Sequence, residues 1–84
     1  MNVDEVRGCI QKIVDGIRRQ KGFPTVPLAE QTRFLDGQLG IDSLDLAVVV
    51  TELEQTTRKD PFKHGFRNFR TVGELARIYA DDLP

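Results

Sequence analysis

The sequence predicts an all-α protein: a small four-helix bundle of three main helices and one short helix, with a long loop between the first and second helices, spanning residues 1–84 as a single domain. Three observations predict it. Apolar residues recur at steps of three and four in separate segments, the spacing that gathers them on one face of a helix. No segment carries the sustained alternation of a half-buried strand. Cap-forming residues, glycine and proline mark the ends of the periodic runs.

The first helix gathers Val3, Val6, Ile10, Ile13, Val14 and Ile17 on one face, with Arg7, Gln11, Lys12, Asp15 and Arg18 on the other. Asn2, three residues before Glu5, fits a reciprocal cap at its start, and Gly22 followed by Pro24 ends it. Cys9 sits at the edge of the apolar stripe and reads as a small boundary hydrophobe. The connection over residues 22–41 carries Phe23, Val26, Leu28, Phe34, Leu35, Leu39 and Ile41, enough to pin an ordered crossover onto a core; one helical turn around Ala29 to Phe34 is compatible with it.

The second helix begins at Asp42-Ser43-Leu44 and runs to about Thr57. It carries two overlapping apolar sets, Leu46, Val49, Val50 and Leu53 on one strip and Leu44, Ala47, Val48 and Thr51 on the next. Either both are buried, or one faces the core and the other is left for a partner. Beyond it, Phe62, Phe66 and Phe69 stand at helical spacing, confined to a short helix by Pro61 and Gly65. Thr71-Val72-Gly73-Glu74 is a capping box that opens the last helix, with Val72, Leu75, Ala76, Tyr79 and Leu83 on one face.

Composition excludes several function classes. The longest apolar run, Leu46 to Val50, is far short of the roughly 18 residues of a membrane span, and Asp4 and Glu5 spoil an N-terminal signal peptide, so a cytoplasmic protein is expected. One cysteine and one histidine allow no internal disulfide and no ordinary zinc site, and Asp36, Asp42 and Asp45 lack the spacing of a calcium loop. A hydrolase using Ser43, His64 and an aspartate would lack the G-x-S-x-G elbow, so a non-catalytic protein is expected. The net charge of −1 hides a division: +2 over residues 1–22, −5 over 23–57 and +2 over 58–84. An acidic middle attracts a basic partner to one face. The basic residues of segment 58–70, interleaved with phenylalanines, leave a small nucleic-acid-binding helical domain as an alternative of a different class.

The chemistry concentrates in Leu39-Gly40-Ile41-Asp42-Ser43-Leu44. A loop ending in a flexible glycine delivers a serine to the first turn of a helix, where backbone N–H groups are unpaired and the dipole favours negative charge; a phosphate ester on Ser43 would be well placed there. Asp42 is an N-cap by residue type.

The hexapeptide L-G-I-D-S-L, the run LDLAVVVTELE and the closing TVGELARIY resemble, in order and spacing, the acyl carrier protein family. The resemblance covers essentially the whole chain. It implies that Ser43 receives 4′-phosphopantetheine from coenzyme A, that Asp42 is the aspartate beside it, and that the arm holds acyl groups as thioesters. It further implies a monomer that docks transiently, through Leu44, Asp45, Ala47, Val48, Thr51 and Glu54, on a phosphopantetheinyl transferase (a holo-acyl-carrier-protein synthase), an acyl- or aminoacyl-loading ligase, synthases and acyltransferases. No metal, no nucleic acid and no membrane span enter this picture. Fatty-acid carriers are usually strongly acidic, whereas this chain is nearly neutral, has Val48 and Gln55 at positions where such carriers commonly have acids, and is basic over 58–70. A specialised lipid or secondary-metabolite pathway is therefore expected. An aminoacyl or peptidyl carrier of a nonribosomal-type pathway is the nearer alternative; Ile41 stands where such carriers tend to have glycine.

Overall fold

The computed structural model describes residues 2–63 and 68–81, and among them three helices: α1 (Val3–Gln20), α2 (Ser43–Thr57) and α3 (Val72–Asp81). The architecture is a small helical bundle in which α1 packs against both α2 and α3. Among the described residues there is no strand, only an isolated antiparallel bridge between Arg33 and Thr71.

Each helix starts where its local chemistry dictates. Asn2 accepts a bond from the Glu5 amide at 2.8 Å while the Glu5 carboxylate takes the Asn2 amide at 3.0 Å, satisfying two donors that the first turn would otherwise leave open. Thr71 and Glu74 do the same for α3, where the Glu74 carboxylate also accepts the Arg70 amide. At the far end of α1 the chain turns on Gly22 at φ +82, with the Gly22 amide bonding the Arg19 carbonyl at 3.0 Å and the Phe23 amide reaching back to Arg18 at 2.8 Å. This paired closure needs a left-handed residue after the cap, which glycine adopts at no steric cost. α2 closes on Arg58, also left-handed at φ 58, with its amide on the Glu54 carbonyl.

The core is the joint product of the three stripes and the connection. Val6, Ile10 and Val14 of α1, Val49 and Leu53 of α2, and Val72, Leu75, Ala76 and Tyr79 of α3 are all buried, joined by Phe34, Leu39 and Ile41 from between α1 and α2. Full burial of one such aliphatic side chain contributes about 1.5–3 kcal/mol. The Tyr79 hydroxyl donates to the Val50 carbonyl at 3.2 Å, a polar tie between α3 and α2. Cys9 is half-buried at the edge of the core.

Residues 21–42 carry neither helix nor strand of their own. Polar side chains of α1 hold them down. The Gln11 amide spans the segment, donating to the Val26 carbonyl at 2.9 Å and accepting from the Leu28 amide at 2.8 Å. A single turn, Thr32 amide to Ala29 carbonyl, is not followed by a helix: the Phe34 amide bonds the Arg70 carbonyl and the Val72 amide bonds Thr32, so residues 32–34 run extended against 70–72. Phe23 and Leu35, expected to pin the connection by burial, are instead exposed, while Arg18 and Gln11 hold it with hydrogen bonds.

The short helix expected over Phe62, Phe66 and Phe69 falls largely on residues 64–67, outside the described residues, as do His64, Phe66, Arg67 and Leu83. On either side of that stretch lie a turn, Lys63 amide to Asp60 carbonyl, and residues 68–70, which carry neither helix nor strand. Phe62 and Phe69 pack inward: Phe69 meets Phe34 edge-on at 5.9 Å, and Phe62 meets Tyr79 at 6.2 Å and Phe69 at 6.0 Å between ring centres. Offset and edge geometries of this kind are those that aromatic quadrupoles favour.

Candidate functional site

Ser43 is the first residue of α2 and is exposed. Asp42 precedes it in extended backbone as the N-cap. Its Oδ1 accepts the Asp45 amide at 2.9 Å, and Asp45 Oδ2 returns a bond to the Asp42 amide at 3.1 Å. The cap expected of Asp42 is thus one half of a reciprocal box whose other half is Asp45. With the Leu46 amide on the Asp42 carbonyl, the Ser43 and Leu44 amides have no acceptor among the described residues. Those two donors and the positive end of the helix dipole lie beside the serine hydroxyl.

The approach to Ser43 is fixed by a residue that periodicity assigned to the polar face. Arg18 is only 8% exposed. Its Nε donates to the Pro24 carbonyl at 2.9 Å, a terminal nitrogen bonds the Leu39 carbonyl, and its guanidinium lies over the Phe23 ring at 5.3 Å. One side chain therefore clamps both ends of the connection to the C-terminal end of α1. Phe23 in turn lies against Gly40, which is left-handed at φ +65; a Cβ there would come within 2.8 Å of the ring. Glycine at this position is required twice over, by conformation and by space. Arg18 stands four residues after Val14 and so continues the buried stripe, the one sequence signal that could have marked it.

Asp45 is not a free charge. Lys21 Nζ lies 2.8 Å from its Oδ2, with both side chains partly shielded. The Lys21 hydrogen bond, followed by the Asp42 amide, holds the Asp45 carboxyl below its ordinary value, and the same hydrogen bond holds the Lys21 ammonium above its own. Asp42 is exposed and keeps its carboxylate toward solvent apart from the cap bond.

The two apolar sets of α2 divide cleanly. Val49 and Leu53 are buried and Leu46 and Val50 half-buried, whereas Leu44 is 77% exposed, Val48 46% exposed, and Ala47 and Thr51 exposed. Ala47, Thr51 and Glu54 flank a groove of about 400 Å³ that begins at Ser43, runs over Leu46 and Val50, and ends at Phe62 and Phe69. Leu44 does not line it, and Val48 instead borders a separate depression between α2 and Ile13, Gly16 and Ile17 of α1. Of the docking residues read from sequence, Ala47, Thr51 and Glu54 share the groove, Val48 lies on the neighbouring depression, and Leu44 and Asp45 line neither.

Among the described residues no three His, Cys, Asp or Glu side chains converge to hold a metal ion, and no helix is long and apolar enough to cross a membrane. No protein-family model, no curated protein and no solved structure matches this chain, so the site stands on its own residues and geometry.

Proposed function

We propose that this chain is a non-catalytic acyl carrier that takes a 4′-phosphopantetheine arm on Ser43 and shuttles intermediates between partner enzymes in the cytoplasm. The observation that carries the reading is the setting of Ser43: an exposed hydroxyl on the first turn of a capped helix, beside two unbonded amides, at the mouth of an apolar groove. The residues fit the group. In attachment, Ser43 Oγ would attack the phosphorus on the pantetheine side of the pyrophosphate in coenzyme A, forming an O–P bond as the bridging P–O bond breaks and adenosine 3′,5′-bisphosphate leaves with the bridging oxygen, while the serine proton passes to a base on the transferase. The resulting phosphodiester anion would sit at the helix terminus that favours it. Once bound, the arm supplies a thiol that holds the acyl group as a thioester.

The remaining residues serve encounter. Leu44, Ala47, Val48 and Thr51 offer a modest apolar area, which suits an interface that must release. Asp42 supplies the free charge near the serine, whereas Asp45 reaches a basic partner only by exchanging Lys21. Partners on this reading are a phosphopantetheinyl transferase, a loading ligase, and synthases or acyltransferases, met by a monomer. The reading implies a four-helix form, with a short helix over the phenylalanines and a long loop between the first and second helices. A nucleic-acid role for segment 58–70 is disfavoured by Phe62 and Phe69, whose rings are taken up in packing rather than presented for stacking. Peptide mapping after incubation with coenzyme A and a broad-specificity transferase tests the proposal: the added group is expected on the peptide containing Ser43. Its appearance on another residue, or nowhere, overturns it.

A further inference from the structure

The groove at Ser43 has a neighbour. Leu46 and Phe69, which help line it, also line a second recess of about 290 Å³. That recess has a different character. Arg33 and Arg70 both border it, with the exposed Leu35 alongside. The bridge between Arg33 and Thr71 and the bond from the Phe34 amide to the Arg70 carbonyl fix the backbone on which both arginines stand. Arg70 has no ion pair within 4 Å among the described residues, its charge reaching only the nearby Glu74 carboxylate, and Arg33 has Asp36 at 3.3 Å, a pair half-exposed on both sides. Exposed pairs of that kind contribute little and exchange readily for a better-placed anion.

We propose that this recess receives the far end of a cargo carrying a carboxylate, so that the protein is suited to ω-carboxyacyl chains rather than to plain fatty acyl chains. The inference rests on the carrier reading of Ser43 and specifies its substrate class. An acyl chain carried on the thiol at the end of the arm and folded back onto this face would meet apolar surface at Leu46 and Phe69 and cationic surface at Arg33 and Arg70. That pairing suits a chain with an apolar middle and an anionic end. Two guanidiniums at the mouth of a recess suit a planar carboxylate, which accepts paired N–H bonds. With Asp36 counted, the recess keeps a net positive charge, the complement of the proposed occupant.

The test attaches suberoyl- and octanoyl-phosphopantetheine, equal in chain length, directly from their coenzyme A thioesters with a broad-specificity transferase. Intact mass reports attachment, and the Nε–Hε NMR signals of Arg33 and Arg70 report the recess. The suberoyl form is expected to shift both arginine signals, and the octanoyl form to shift groove residues without them. The suberoyl thioester should react with hydroxylamine about fivefold more slowly than the octanoyl one, a difference that fades with added salt and disappears in R33Q/R70Q. Equal spectra and equal reactivities for the two forms overturn the proposal, as does movement of the arginine signals only when a partner enzyme is added, which would assign the recess to protein docking. A chain that gains no mass removes the carrier reading itself, a failure distinct from loaded chains that leave the arginines unmoved.

Discussion

Arg58 closes α2 in the left-handed region at φ 58, where a Cβ crowds the following carbonyl oxygen at a cost of about 1–2 kcal/mol. Arg58→Gly is therefore expected to raise stability by about 1 kcal/mol, read as a higher urea midpoint at unchanged slope. A lower midpoint would contradict the cap geometry. Arg18 gives the opposite expectation. Arg18→Met keeps the stem but leaves the Pro24 and Leu39 carbonyls without their donor, and should cost about 2–3 kcal/mol. Thermal melts decide it, and a change under 0.5 kcal/mol would show that the clamp adds nothing. These residues also mark how far the site was legible. Asn2, Asp42 and Thr71 were readable as caps because each acts within three residues of itself. Arg18 and Lys21 were not, because their partners at Leu39 and Asp45 come near only when the connection folds back.

At the scale of elements, all three helices could be read from apolar spacing, since α1 and α3 each carry one narrow stripe. α2 was ambiguous because it is apolar on two adjoining strips, and nothing local says which one α1 and α3 will cover. Packing settles it: Val49 and Leu53 go inward, and Leu44 and Val48 stay out. Leu53→Ala should therefore cost about 3 kcal/mol, against less than 0.5 kcal/mol for Leu44→Ala, with the two midpoints compared in one denaturant series. Similar losses would mean that both strips are buried. The extended pairing of residues 32–34 with 70–72 had no sequence signal. Two short runs with no alternation meet there because the connection and the entry to α3 share one side of the bundle.

At the scale of the whole molecule, the division of charge along the chain becomes a contact. Lys21, from the basic first segment, neutralises Asp45 of the acidic middle. Asp45 and Glu74 are both held below their ordinary values of 3.8 and 4.5, Asp45 chiefly by Lys21 and Glu74 chiefly by the Arg70 and Thr71 amides. A depressed carboxyl contributes stability that is present above its unfolded value and lost as pH falls through its folded one. Lys21, raised above 10.5, contributes below that value and loses its share as pH climbs past its folded one. The acid limb of a stability profile, below about pH 5, should therefore flatten in D45N and in E74Q. An unchanged acid limb in both would deny the two carboxylates their native partners.

Ser43 stands at the start of α2, exposed beside its Asp42 cap and lining the apolar groove, and the central claim is that this hydroxyl alone takes the arm. Ser43→Ala should remain folded, since an exposed first-turn side chain contributes little to stability. The decisive measurement is the intact mass of the native chain and of Ser43→Ala, side by side, after incubation with coenzyme A and a phosphopantetheinyl transferase. The account predicts one phosphopantetheine on the native chain and none on the variant; an unmodified native chain, or an equally modified variant, would contradict it.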